Sequence, residues 1–118
     1  MSWKTIRLEL AQAEDFPNGS AARSYMMRVP LDSADRIDEG ELGGRPELAT
    51  VRRFWPNEPD RMGRLVRDES GWTIDYGSVT GGLLFESSDM QIRLGSRLRL
   101  MEPDGGTRSY QVKFCARG

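Results

Sequence analysis

No histidine occurs anywhere in the sequence, and its absence removes the commonest general base and the commonest neutral metal ligand together. Ser-His-Asp and Cys-His catalysis are therefore excluded. Cys115 is the single cysteine, so no intramolecular disulfide forms and the disulfide-rich secreted class drops out. Zinc would have to rely on one thiol plus carboxylates, a poor donor set for either a structural or a catalytic site. The Walker pattern and the dinucleotide GxGxxG are both missing, as is any βαβ pattern to carry them. No metal, no cofactor and no catalytic residue are expected. No stretch approaches the roughly 20 apolar residues of a spanning helix. The opening MSWKTIRLELAQAEDF carries charges where a signal peptide has an apolar run, so the expected location is cytoplasmic, with no membrane partner. With 17 basic against 18 acidic residues, no overall field recommends a polyanion, and nucleic acid is disfavoured.

What is present reads as strands. Ile6, Leu8 and Leu10 alternate with Thr5, Arg7 and Glu9, the period of two of a half-buried strand over residues 3–11. Pro17, Asn18 and Gly19 mark a loop, from which Phe16 is able to fold back onto the core. Tyr25, Met27 and Val29 then alternate with polar or longer neighbours until Pro30, which removes a backbone donor and is expected to end the pairing. Residues 31–47 read as a long charged loop with room for one helical turn. Pro46 is suited to opening a short helix, while ATVRRFW favours a strand. From Arg61 to Phe114 hairpin signals recur: Asp68-Glu-Ser-Gly71, Gly77 to Gly82, Ser87-Ser-Asp89 and Glu102 to Gly106 punctuate short alternating runs, with Ile92 and Leu94 continuing the ladder. Trp72, Ile74, Tyr76, Leu98, Leu100, Tyr110, Val112 and Phe114 are the expected core of this half. Turn signals about every 8 to 12 residues point to an all-β fold, a small antiparallel barrel or sandwich of seven to eight short strands with little or no helix. It occupies residues 1–118 as a single domain.

Two acidic groupings bear on chemistry. Asp32, Asp35, Asp38, Glu39 and Glu41 recur about every third residue, not at the alternate positions of a calcium loop, and read as a solvated charged loop. Asp68 with Asp75 would serve acid–base work only if burial split their pKa values. Lys113 and Arg117 flank Cys115, but a small buried hydrophobe is the simpler reading of that thiol.

The binding candidate is Arg52-Arg53-Phe54-Trp55 with Arg61, Arg64 and Arg67 following. Rings among guanidinium groups are suited to stacking a base or clamping a phosphate, and Arg52, Arg53, Trp55, Arg61 and Arg64 are the expected ligand-binding residues. Against this stands a structural reading, in which Phe54 and Trp55 fill the barrel and the arginines pair with the acidic segment from Asp32 to Glu47. Arg93, Arg97 and Arg99 read as a solvated strand face, and Met26, Met27, Met62, Met90 and Met101 as core gap-fillers or an adaptable apolar pocket.

GWTIDYGSVTGG followed by IRLGSRLRL resembles the C-terminal part of forkhead-associated domains, which implies phosphothreonine-peptide recognition with Ser78 and Thr80 in the binding loop. Thr80 stands where that family has asparagine, and the upstream glycine-arginine and serine-x-x-histidine motifs are missing. The succession RLELA, FPNGSAA, VPLDSADRID, RRFWPNEPDRMGRLV and WTIDY is similar to a group of small bacterial proteins. That resemblance covers most of the chain, implies one compact domain and carries no activity with it. The leading expectation is a non-enzymatic module binding a protein partner, itself as a homo-oligomer, or a small ligand. An anion or single-strand nucleic-acid binder using Arg52 to Arg67 comes second, and an enzyme built on carboxylates, Tyr76 and arginine third.

Overall fold

The computed structural model describes residues 1–69, 71–85 and 91–118. Eight strands follow one another: β1 (Ser2–Leu10), β2 (Ser20–Leu31), β3 (Thr50–Phe54), β4 (Arg61–Asp68), β5 (Gly71–Asp75), β6 (Thr80–Phe85), β7 (Arg97–Met101) and β8 (Thr107–Arg117). Each pairs antiparallel with the next, and β8 returns to β1, closing the barrel. Closure leaves no sheet edge to protect. A barrel of eight strands is just narrow enough for side chains to fill it, and the alternating inward positions do so: Ile6, Leu8, Tyr25, Met27, Val29, Val51, Leu65, Ile74, Leu83, Leu98, Leu100, Tyr110 and Val112 are all buried.

The loop between β2 and β3 carries more structure than one turn. A short helix, α1 (Glu39–Gly44), is capped by Asp38, whose carboxylate accepts the Glu41 N–H at 3.1 Å. Pro46 opens a single 3-10 turn, Pro46–Leu48, and the strand expected in ATVRRFW follows it directly. Leu42 plugs the core from α1. Phe16 does fold back, partly buried against the core, with Arg23 stacked on its ring.

Four expectations are corrected. Pro30 does not end β2: it pairs with Trp3 of β1. Its carbonyl faces the opposite side, accepting the Asp38 N–H at 2.9 Å, and β3 has already ended its pairing at Met27. The missing N–H therefore falls where no neighbouring strand asks for it. Phe114 is not core but 49% exposed. The register between β1 and β8 slips, with Leu8 opposite Val112 and Arg7 opposite Phe114, so the extra residue Lys113 inverts the alternation and turns Phe114 outward. Cys115, back in phase opposite Ile6, packs against the core. Gly81 and Gly82 lie inside β6, not in the turn before it. Ile92 and Leu94 are not on a strand: Ile92 is buried beneath the loop at Asp35, to which its N–H donates at 2.8 Å, and Leu94 is exposed. The Ser87-Ser-Asp89 turn lies outside the described residues.

Gly63 and Gly81 show why these positions lack side chains. A Cβ on Gly63 would sit 2.5 Å from the Asp75 carbonyl oxygen and 2.9 Å from the Tyr76 ring; one on Gly81 would sit 2.6 Å from the Met101 carbonyl oxygen and 3.3 Å from the same ring. Tyr76 thus lies over both glycines and caps one end of the barrel interior. Gly63→Ala is expected to lower stability by about 1–3 kcal/mol through overpacking. Urea denaturation checks this, and a wild-type midpoint would show that the ring is not seated as described.

Candidate functional site at the barrel mouth

A strand sends consecutive side chains to opposite faces, so Arg52 and Arg53 cannot serve one surface. Arg53 points inward and is 6% exposed, whereas Arg52 points to solvent with its guanidinium 5.7 Å from the Phe54 ring. The register extends the division to β4: Arg53 faces Arg61, while Arg52 faces Met62 and Thr50 faces Arg64. The five expected ligand-binding residues therefore separate. Arg53, Arg61 and Trp55 gather at the mouth of the barrel, and Arg52 and Arg64 lie on its outer wall. The structural alternative is corrected as well. Phe54 is turned outward rather than into the barrel, and of the arginines from 52 to 67, Arg67 alone among the described residues forms an ion pair with the acidic segment, with Glu39 at 3.0 Å.

Arg53 is held by a buried network that no short motif announces. Its Nε donates to Glu102 Oε2 at 2.9 Å, and its Nη1 to Glu58 Oε1 at 3.2 Å. Glu102 is 3% exposed. Its carboxylate also accepts the Tyr25 hydroxyl at 2.6 Å and a short hydrogen bond from the Tyr110 hydroxyl. The two tyrosine rings meet edge to face at 5.1 Å. Glu102 follows β7 and opens a tight turn, its N–H donating to the Gly106 carbonyl at 2.6 Å. Leu98, Leu100 and Glu102 continue one inward alternation, which is the signal that would have placed the carboxylate inside.

This environment disfavours phenolate. Burial pushes Tyr25 well above its ordinary value, with the Tyr76, Glu102 and Tyr110 oxygens adding to the effect. Burial and the Glu102 carboxylate do the same for Tyr110. Burial also raises Tyr76, although Arg53 and Arg61 pull the other way; its hydroxyl approaches Tyr25 without reaching hydrogen-bond geometry. For Arg53, burial opposes the charge, but the hydrogen bond to Glu102 and the electrostatic attraction of Tyr25 and Glu102 together outweigh it, and the guanidinium is held protonated.

Above this network lies a cleft of about 200 Å³ lined by Arg53, Glu58, Arg61, Val79, Pro103 and Asp104. Its two acids are engaged: Glu58 by Arg53, and Asp104 by the Gly106 N–H of its own turn at 2.9 Å. Arg61 makes no ion pair among the described residues. Trp55 is partly buried, with the guanidinium groups of Arg53, Arg23 and Arg108 at 4.4, 5.4 and 5.6 Å from its ring. Its faces are thus used within the fold, not offered to a base. Arg108 is in turn anchored to Asp15 at 3.0 Å.

Asp68 and Asp75, the carboxylates that acid–base work would need, are exposed. Asp68 accepts the Thr73 hydroxyl at 2.6 Å and Asp75 the Gly77 N–H at 2.7 Å. Ser78 and Thr80 sit at the exposed turn into β6. Among the described residues no group of three or more His, Cys, Asp or Glu is placed to hold a metal, and no helix is long and apolar enough to cross a membrane. No family model, curated protein or solved structure matches the chain.

Proposed function

We propose that the protein is a non-enzymatic binding barrel whose mouth takes a small anionic ligand, carboxylate- or phosphate-bearing, on Arg61 beside Arg53. The observation that carries this reading is the unpaired Arg61 guanidinium, set opposite an arginine already neutralised by Glu102 and Glu58. A guanidinium fork matches carboxylate or phosphate oxygens bidentately. The supporting residues are locked by the network beneath, so little ordering remains to be done on binding. Val79 and Pro103 supply an apolar wall for the body of the ligand. The cleft is smaller than the usual range for drug-sized molecules, which favours a compact ligand. The absence of histidine and the engagement of Glu58, Glu102, Asp104, Tyr25 and Tyr110 favour binding over turnover.

Calorimetric titration with inorganic phosphate and with succinate tests it. The expected result is saturable binding of at least one anion, weakened at least about tenfold in Arg61→Ala, the loss of one charge-assisted contact, and unchanged in Arg64→Ala. Absence of binding by both anions, or equal losses in the two variants, would sink the proposal.

A further inference from the structure

The outer wall of β2, β3 and β4 carries a second, separate arrangement. Cross-strand register sets Met26 beside Arg52 and Arg52 beside Met62, with Thr50 beside Arg64 in the adjoining row. Met62 is 63% exposed, and Met26 is half-buried with Arg28 two residues along the same strand face. A groove of about 220 Å³ runs between Met26, Arg28, Thr50, Arg52 and Met62. A second groove, of about 420 Å³, continues from Thr50 and Met62 past Arg64 to Asp75 and Tyr76.

Around the Met26–Met62 groove the charge has one sign: its lining holds Arg28 and Arg52 and no acid. The acids of the neighbouring wall lie outside it, Asp75 opposite Arg64 and Asp68 at the far end of β4. Arg28, Arg52 and Arg64 form no ion pair among the described residues. Across the sheet from Arg64 stands Asp75, whose carboxylate is taken by the Gly77 N–H. Charged strands often serve to keep a sheet edge from pairing with another chain, but a closed barrel has no edge to defend. Arginines without an ion pair beside exposed methionine thus lack a purely protective role. Methionine, flexible and polarisable, adapts to an incoming apolar side chain, and its surround of arginines complements negative charge.

We infer that this wall docks an acidic segment of a partner protein through one apolar anchor that enters the Met26–Met62 groove, with flanking carboxylates on Arg28, Arg52 and Arg64. The anchor supplies the buried contact that a binding surface needs at its centre, and the arginines set the register. The site is distinct from the mouth, since Arg61 faces inward and Met62 outward.

The test uses the full chain with isotope-labelled methionine methyl groups, observed by NMR. The probe is a synthetic pentapeptide of four glutamates around a central leucine; the comparisons are the same peptide with glycine for leucine, oligo-dT, and phosphatidylglycerol vesicles. The expected result is saturable shifts of the Met26 and Met62 methyls, with Met101 on another part of the wall unmoved. Binding should weaken at least about tenfold with glycine in place of leucine, and likewise in the R52E/R64E protein. Met62→Ala serves as a second variant should the charge reversal disturb folding, with the same weakening expected. Arg61→Ala should leave these shifts intact. Absence of shifts at Met26 and Met62 overturns the proposal, as does indifference to the leucine or stronger binding of oligo-dT or vesicles than of the peptide.

Discussion

Glu102→Ala is expected to destabilise the protein by about 3–5 kcal/mol, the cost of leaving one member of a buried pair without its partner. Arg53 is 6% exposed and depends on this carboxylate. Tyr25 and Tyr110 would also lose the acceptor for their hydroxyls, each a further buried group to satisfy. Against a total stability of about 5–15 kcal/mol for a typical domain, such a loss leaves the fold marginal. Glu102→Gln should cost less, because an amide oxygen still accepts while the charge is lost. Removing both charges, as in Arg53→Met with Glu102→Ala, should recover part of the loss, since no unpaired ion is then buried. Urea denaturation of the four proteins measures these differences. A Glu102→Ala midpoint equal to wild type would mean that the network does not hold the barrel together.

The second large effect is in alkali. Tyr25, Tyr76 and Tyr110 are the only tyrosines, and burial raises all three above their ordinary range. Below about pH 10 the phenols are neutral in both folded and unfolded chains, so their contribution to stability is complete. Above that value the unfolded chain releases phenolic protons while the folded chain holds them, and stability falls as pH rises. Phenolate absorbance in the native protein is therefore expected to stay flat through pH 10 and to rise together with unfolding. The urea-denaturated chain should titrate at about 10. A tyrosine ionising near pH 10 in the folded protein would remove at least one phenol from the buried cluster.

Much of the barrel was legible because its strands obey a simple rule. Ile6, Leu8 and Leu10, or Leu98 and Leu100, announce an inward face by type and spacing together. The network was not, because type and spacing disagree there. Arg53 shares its face with Val51, and Glu102 shares its face with Leu98 and Leu100, yet charged residues are ordinarily assigned to solvent. What reverses the assignment is a partner 49 residues away, reached only once β3 and the turn after β7 come together at the barrel end. Phe114 failed for the opposite reason. Its type suits a core, and the bulge at Lys113 that turns it outward leaves no mark in the alternation. The division of Arg52 from Arg53 was legible: strand geometry alone separates neighbours, so one binding surface could not have held both.

Glu102 locks Arg53 into the fold and leaves Arg61 as a cation available at the mouth. Arginine Nε–H resonances, followed by NMR during titration with inorganic phosphate, test this most directly. The expected result is an Arg53 Nε–H that exchanges slowly with solvent and does not move, and an Arg61 Nε–H that shifts saturably. A rapidly exchanging Arg53, or phosphate shifts at Arg52 and Arg64 with none at Arg61, would contradict it.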